Sequence, residues 1–167
     1  MGTYAEHIEQ SKKNFTFLST INDKIGECWD WQVTVCFYTA LHLLNAHIVK
    51  KSGYNYISHS QVDKIINPFN DDSVSKISED LYKSYTKLFQ LSRRSRYLLN
   101  DTFVSTPERD DILKAMFTHS RHLRKAIHHL DNIISFINKE YGEDFPKVDI
   151  KCVDLNGLTF KYVKVVA

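Results

Sequence analysis

Two arginines and a histidine are predicted to share one side of a helix in the last third of the chain. Arg121, Arg124 and His128 lie within the stretch from Asp110 to Lys139. Because an α-helix turns about 100° per residue, residues seven apart share a stripe about 10 Å long, and Arg124 falls between them. An imidazole exchanges protons near neutral pH, and a guanidinium binds phosphate oxygens through a planar fork of donors. The stripe therefore indicates phosphate chemistry.

The same residues have plainer explanations. Any bundle helix carries arginine and lysine opposite its apolar seam, so the stripe fits a solvent-exposed basic face equally well. His119 and His122 have the spacing of zinc ligands, but no cysteine accompanies them and His119 falls on the predicted seam. A buried, hydrogen-bonded His119 is favoured over a metal ligand, and no metal site is predicted.

The predicted helix from 110 to 139 is the element that must position the stripe. Its apolar positions alternate at spacings of four and three, which is typical of a bundle helix. Ser105 to Glu108 supplies an N-cap residue and a first-turn proline, and Gly142 follows the predicted end. His122 and His129 lie on the flank of the seam. The seam positions are Ile112, Met116, His119, Leu123, Ala126, Leu130, Ile133 and Ile137.

Composition predicts a single, mostly helical domain over residues 1–167. Only five glycines and three prolines interrupt 167 residues that are 43% hydrophobic, which favours long helices. The net charge of +2 gives no argument for a nucleic-acid partner by itself. Three cysteines without Cys-x-x-Cys spacing predict reduced thiols in a cytoplasmic protein. No run approaches the ~20 apolar residues that span a bilayer, so no membrane partner is expected.

Four further helices are predicted before the tail of the chain, counting the short one. We expect helices over Thr3 to Ile21, over Trp29 to Lys51 with Gly53 at its end, and from Val74 to about Leu99. The second helix is apolar on most sides and should lie at the centre. A short helix begins at the Ser58 capping box and ends at Pro68.

The tail is predicted to be a β-hairpin. The segments VDIKCVD and LTFKYVKVV flank Asn156-Gly157, a dipeptide typical of tight hairpin turns. The predicted fold is therefore all-α, an antiparallel up-and-down four-helix bundle over about 3–142, with an extra short helix and a hairpin over about 147–166.

Three patches resemble the HEPN family, helical bundles found in many prokaryotic toxin and defence systems. FYTALH (Phe37 to His42) is similar to the family's aromatic-aromatic-Ala-x-x-His pattern. Gly53 followed by Ser58-His59 resembles its helix exit, and Arg93 to Tyr97 resembles its Arg-x-x-x-Tyr patch. The likeness covers residues 30 to 135 and leaves out the first helix and the tail.

The resemblance implies a site in the last bundle helix. Ribonuclease members carry an arginine followed, after four to six residues, by a histidine; a dimer pairs two such motifs, and cleavage needs no metal or other cofactor. Arg121 with His128 fits this spacing, and so does Arg124 with His129. Helix geometry favours Arg121, Arg124 and His128, because five residues rotate His129 away from Arg124. Catalytic members usually place a polar Asn, Asp or His just after the arginine; His122 after Arg121 fits this pattern, whereas Lys125 after Arg124 does not.

The resulting hypothesis is that the chain is an RNA- or nucleotide-binding protein and forms a homodimer. It would act as a metal-independent endoribonuclease in a defence or toxin–antitoxin system. His128 would exchange protons while Arg121 and Arg124 polarise the phosphate. The competing hypothesis is a non-catalytic scaffold module. A cognate antitoxin or a nucleotidyltransferase is the expected protein partner. The nucleic-acid-binding surface is predicted to include Arg93, Arg94, Arg96, Lys125 and His129.

Two sets of side chains are assigned mainly to structure. The aromatic side chains of the fourth helix have the chemistry to stack on bases, but their helical spacing favours core packing. His42 lies in an apolar helix, where a histidine more often satisfies a neighbouring polar group. The aromatic residues concerned are Tyr82, Tyr85, Phe89 and Tyr97.

Overall fold

The structure is a computed structural model that describes residues 2–55, 58–97 and 117–166. Within these ranges it contains five α-helices and one two-stranded sheet, so the predicted mostly helical character is confirmed. None of the helices in the described ranges combines the length and hydrophobicity that crossing a bilayer requires. The elements are α1 (Tyr4–Ile25), α2 (Trp29–Ser52), α3 (His59–Ile66), α4 (Glu79–Tyr97), α5 (Ser120–Tyr141), β1 (Val148–Lys151), a 3-10 turn (Val153–Leu155) and β2 (Val163–Val166).

Helix α2 is the centre of the core, as its apolar sequence predicts. It contacts α1, α3, α4 and α5, and α4 also packs on α5. Its side chains Phe37, Leu43 and Leu44 are fully buried. Gly53 ends the helix in the left-handed conformation at φ 73°, which glycine adopts without a steric penalty.

Helix α1 is longer than predicted. It starts at a capping box between Thr3 and Glu6 and continues to Ile25, whereas the sequence suggested an exit at Asn22. The Asn22 side chain is buried and donates to the carbonyl of Lys151 at 3.0 Å, and its Oδ1 accepts from the Lys151 N–H at 2.6 Å. In an isolated peptide the Asn22 side chain would compete with the helix for backbone hydrogen bonds, and the contact with Lys151 removes that competition.

Helices α3 and α4 confirm one predicted boundary and correct another. The Ser58–Gln61 capping box starts α3 as expected. Helix α4 begins at Glu79 rather than Val74, because the preceding segment runs along the end of α3. The N–H groups of Ser75 and Ile77 donate there to the carbonyls of Ile65 and Ile66, both at 3.2 Å. The end predicted near Leu99 lies outside the described residues.

Helix α5 starts ten residues later than the predicted helix at 110. Residues 117–119 are not helical, and the Thr118 hydroxyl shares a hydrogen bond of 3.0 Å with Ser95 on α4. His119 is therefore an exposed N-cap residue and does not belong to the seam. The seam is confirmed from Leu123 onward, and Gly142 ends the helix as predicted. The predicted cap at 105–108 and seam positions 112 and 116 lie outside the described residues.

The predicted hairpin is wrong, because β1 and β2 pair in parallel with Val148 opposite Val163. Gly157 does form a turn with positive φ. After that turn the chain follows α5 instead of returning along β1, since the Asp131 carboxylate on α5 accepts hydrogen bonds from the N–H groups of Lys161 and Tyr162 at 3.2 and 2.9 Å. Strand β2 consequently starts beside the start of β1.

Candidate functional site

The N-terminal half of α5 presents a basic face to solvent. Arg121, Arg124, Lys125 and His128 are exposed, while Leu123, Ala126 and Ile127 on the same turns are fully buried. Within residues 2–55, 58–97 and 117–166, the ion pairs involve lysines elsewhere in the fold. The positive charge of the basic face is therefore not neutralised by a carboxylate among these residues.

A segment of the tail, which we name the strap (residues 156–162), runs alongside this face. It is held at both ends: the Ser120 hydroxyl hydrogen-bonds the Asp154 carboxylate just before the strap, and Asp131 binds the backbone of Lys161 and Tyr162. The two α5 residues that anchor the strap are Ser120, which precedes the basic face in the sequence, and Asp131, which follows it. The strap thus forms a second wall beside α5.

A groove of about 300 Å³ lies between α5 and the strap. One wall is basic and the other is mostly apolar, an arrangement suited to a ligand with both a phosphate and a flat apolar part. The α5 wall consists of Arg124, Lys125, His128 and His129, and the strap wall consists of Leu158, Thr159 and Phe160.

The two histidines of the groove differ in their surroundings. His129 is half-buried, and its Nδ1 lies 3.4 Å from the Ser84 hydroxyl on α4. Burial, assisted by the charges of His128, Lys87 and Lys125, lowers the pKa of His129 from 6.5 to about 4. His129 is therefore neutral at pH 7, whereas His128 is exposed and its ring centroid lies 5.3 Å from that of His129. Of the two, His128 is the more exposed to a ligand in the groove.

The first turn of α5 is built around a third histidine. His122 is 8% exposed, and its Nδ1 accepts the N–H of His119 at 2.9 Å. Burial first, and then the charges of Arg94 and Arg121, lower the pKa of His122 to about 4. Arg94 itself is 8% exposed. Of the three α4 arginines predicted to bind nucleic acid, only Arg93 and Arg96 therefore reach the surface, because Arg94 faces inward.

The structure divides the predicted catalytic residues into two locations. Arg124 and His128 line the groove together with Lys125 and His129. Arg121 lies one turn earlier, beside His122, and does not line it. His128 and His129, the histidines of the two alternative motifs, both border the groove. The strap lies beside both the exposed face of α5 and its flank. Sequence reasoning missed the strap wall, since Leu158 to Phe160 were assigned to a hairpin strand.

The three patches that carry the family resemblance lie together. The ring of His59 is centred 5.2 Å from Phe37, and the Arg96 guanidinium lies 6.0 Å from the Phe37 ring and 5.8 Å from Tyr38. Residues far apart in the chain thus form one cluster between α2, α3 and α4.

Most of the remaining candidate side chains make structural contacts, but Tyr97 is 62% exposed and is therefore not the core residue that its helical spacing predicts. His42 shares a hydrogen bond of 3.0 Å with His7 of α1. Tyr85 is buried, and Tyr82 donates to Asp63 at 2.9 Å. Across the described ranges, no three histidine, cysteine or acidic side chains gather closely enough to hold a metal ion.

Comparison of the chain with models of protein families, with curated proteins and with solved structures finds no match. The fold and the site therefore define it by class alone, as a mostly helical protein with a basic groove between its last helix and its tail.

Proposed function

We propose that this protein is a HEPN-like RNA-binding protein that cleaves RNA in the groove of α5 without a metal ion. The observation that supports the proposal is the grouping of Arg124, Lys125 and His128 along one groove wall. In this proposal the long helices form an antiparallel up-and-down bundle, and the protein acts as a cytoplasmic homodimer in a defence or toxin–antitoxin system.

The groove residues have the chemistry that the reaction needs. Arg124 holds the phosphate oxygens with its donor fork, and Lys125 adds positive charge beside it. His128 removes the proton of the RNA 2′-hydroxyl, whose oxygen then bonds to phosphorus while the bond from phosphorus to the 5′-oxygen breaks. The same residue of the second protomer protonates the departing 5′-oxygen. The products are a 2′,3′-cyclic phosphate and a 5′-hydroxyl.

His129 and Arg121 have supporting roles in this scheme. His129 stays neutral at pH 7 because its pKa is about 4, so it supplies a hydrogen-bonding wall and no charge. Arg121 extends the positive surface beyond the groove and binds a neighbouring phosphate of the same strand.

A cleavage assay with mixed RNA in EDTA tests the proposal. The unaltered protein should produce 2′,3′-cyclic phosphate ends, and His128→Ala should slow cleavage by at least about 100-fold, as removal of a general acid-base group does. Arg124→Ala should also reduce cleavage. The control is Lys13→Ala, which removes an exposed cation on α1 that pairs with Glu9. Absence of cleavage, or equal cleavage by His128→Ala, contradicts the catalytic proposal.

The buried state of His122 favours the second candidate, a non-catalytic binding or scaffold module partnering a nucleotidyltransferase or an antitoxin. Its Nδ1 is already occupied by the His119 N–H and the residue is only 8% exposed, so the polar residue after Arg121 has little surface with which to contact RNA. In that case the protein should retain RNA in EDTA without cutting it, and Arg124→Ala should still weaken retention.

A further inference from the structure

A second candidate binding surface lies on α2, the first residue of α3 and the C-terminal end of α4, and we name it the stacking cluster (Phe37, Tyr38, His59, Arg96 and Tyr97). The Arg96 guanidinium is at its centre. Its Cζ lies 5.1 Å from the ring centroid of Tyr97, 5.8 Å from Tyr38 and 6.0 Å from Phe37. Distances of this size bring a guanidinium within the range of cation–π attraction.

The cluster has a buried floor and an exposed rim. Phe37 is fully buried, whereas Tyr38 is 37% and Tyr97 is 62% exposed. The Tyr38 hydroxyl lies 3.5 Å from Nη1 of Arg96, so this ring is oriented by the arginine as well as by the core. Two aromatic side chains thus border a cation at the surface, where water contact with their faces is unfavourable.

A neighbouring cation extends the cluster along α4. The guanidinium of Arg93 lies 5.8 Å from the ring of Phe89, and that ring is centred 5.4 Å from His59. Within the part of the chain that the structure describes, the carboxylates that form ion pairs bind lysines and neither of these arginines. The surface is therefore aromatic and positively charged at once, which suits a planar ligand attached to an anion.

We propose that the stacking cluster binds an unpaired nucleobase of single-stranded RNA, with Tyr97 and Tyr38 contacting the base and Arg93 and Arg96 binding the adjacent phosphates. This inference rests on the proposed function and extends it to the substrate class. Aromatic and guanidinium faces accept any base, because every base has a π-face. The cluster therefore selects single-stranded over paired RNA and does not select a sequence.

The placement of Arg94 links this surface to the groove. Arg94 follows Arg93 on α4, and its charge acts on His122 of α5. Helices α4 and α5 also pack against each other. The stacking cluster and the groove thus border two helices that pack against each other.

Binding of two short, fluorescently labelled 2′-O-methyl RNAs tests the inference, one with normal bases and one with abasic sugars. Methylation removes the 2′-hydroxyl proton, so neither ligand is cleaved by the unaltered protein. The base-containing strand should bind more tightly. Tyr97→Ala should weaken its binding at least about fivefold, as loss of one base–aromatic stack does, and should leave abasic binding unchanged.

Two variants separate stacking from other effects. Tyr97→Phe keeps the ring and should bind like the unaltered protein. Tyr54→Ala removes an equally exposed tyrosine (66% exposed) elsewhere on the surface and should change neither affinity.

The outcomes distinguish this inference from the function on which it rests. Equal binding of the two strands, with Arg124→Ala still weakening both, overturns the stacking site and leaves the groove proposal standing. Failure of the unaltered protein to bind either strand overturns both. Equal loss of both affinities in Tyr97→Ala also overturns the stacking site.

Discussion

At the scale of single residues, the buried His122 and the half-buried His129 carry a measurable signature of the fold. Burial lowers the pKa of His122 and of His129 from 6.5 to about 4. The unfolded chain therefore binds more protons than the folded protein between about pH 4 and 6.5. By linkage, the contribution of these histidines to the free energy of unfolding is fully present above pH 6.5 and is lost as the pH falls towards 4.

The variant His129→Gln isolates one of these contributions. We expect the unaltered protein to lose on the order of 1–2 kcal/mol for each of these two histidines between pH 6.5 and 4, after allowing for solvent around the half-buried ring of His129. His129→Gln cannot titrate, so its loss of stability over this range should be smaller by that amount. Urea unfolding at a series of pH values measures the difference, and parallel curves for the two proteins would contradict the assignment.

At the scale of elements, the strap depends on one carboxylate. Asp131 on α5 accepts two backbone hydrogen bonds from the end of the strap, and hydrogen bonds to a charged group are among the stronger ones in proteins. The strap in turn supplies one wall of the groove. Position 131 therefore joins the stability of the tail to the shape of the site.

Replacing Asp131 by alanine should affect both properties. It leaves two backbone donors without their acceptor, so the free energy of unfolding should fall by about 1–3 kcal/mol. RNA binding should weaken as well, because the apolar wall is no longer held beside α5. Asp144→Ala removes an exposed carboxylate near the start of the tail and should change neither quantity. Full RNA affinity in a destabilised Asp131→Ala protein would show that the strap is not part of the site.

At the scale of the whole molecule, charge is distributed unevenly. The net charge is only +2, yet the last turns of α4 and the first turns of α5 carry arginines and a lysine on the surface. Long-range attraction is therefore weak, and the electrostatic part of RNA binding must come from this local concentration of cations. The salt dependence of RNA affinity then reports how many phosphates the protein contacts.

Salt titration of RNA affinity measures this count. Each phosphate contact to a single strand should contribute a slope of about −0.7 in log K against log salt concentration. Arg121→Ala, Arg124→Ala and Lys125→Ala should each make the slope shallower by about 0.7, whereas Lys13→Ala on α1 should leave it unchanged. A slope that is the same in all four variants would indicate that RNA binds elsewhere.

Local signals in the sequence predicted much of the helical framework. The Ser58 capping box and the glycines Gly53 and Gly142 mark their helix ends correctly, because a cap or a left-handed glycine acts through neighbours within a few residues. The seam from Leu123 onward and the exposure of Arg121, Arg124 and His128 follow from helical periodicity in the same way.

Contacts between distant segments decided the rest. Helix α1 passes its predicted end because Asn22 binds β1, and α5 begins late because Thr118 is bound to Ser95 on α4. The capture of Lys161 and Tyr162 by Asp131 turned a predicted hairpin into a parallel pair with a strap. The sequence by itself determined which face of α5 is basic, since that depends on a 100° rotation per residue. Only the tertiary structure placed a second wall beside that face, because the hydrogen bonds that hold it join residues about thirty positions apart.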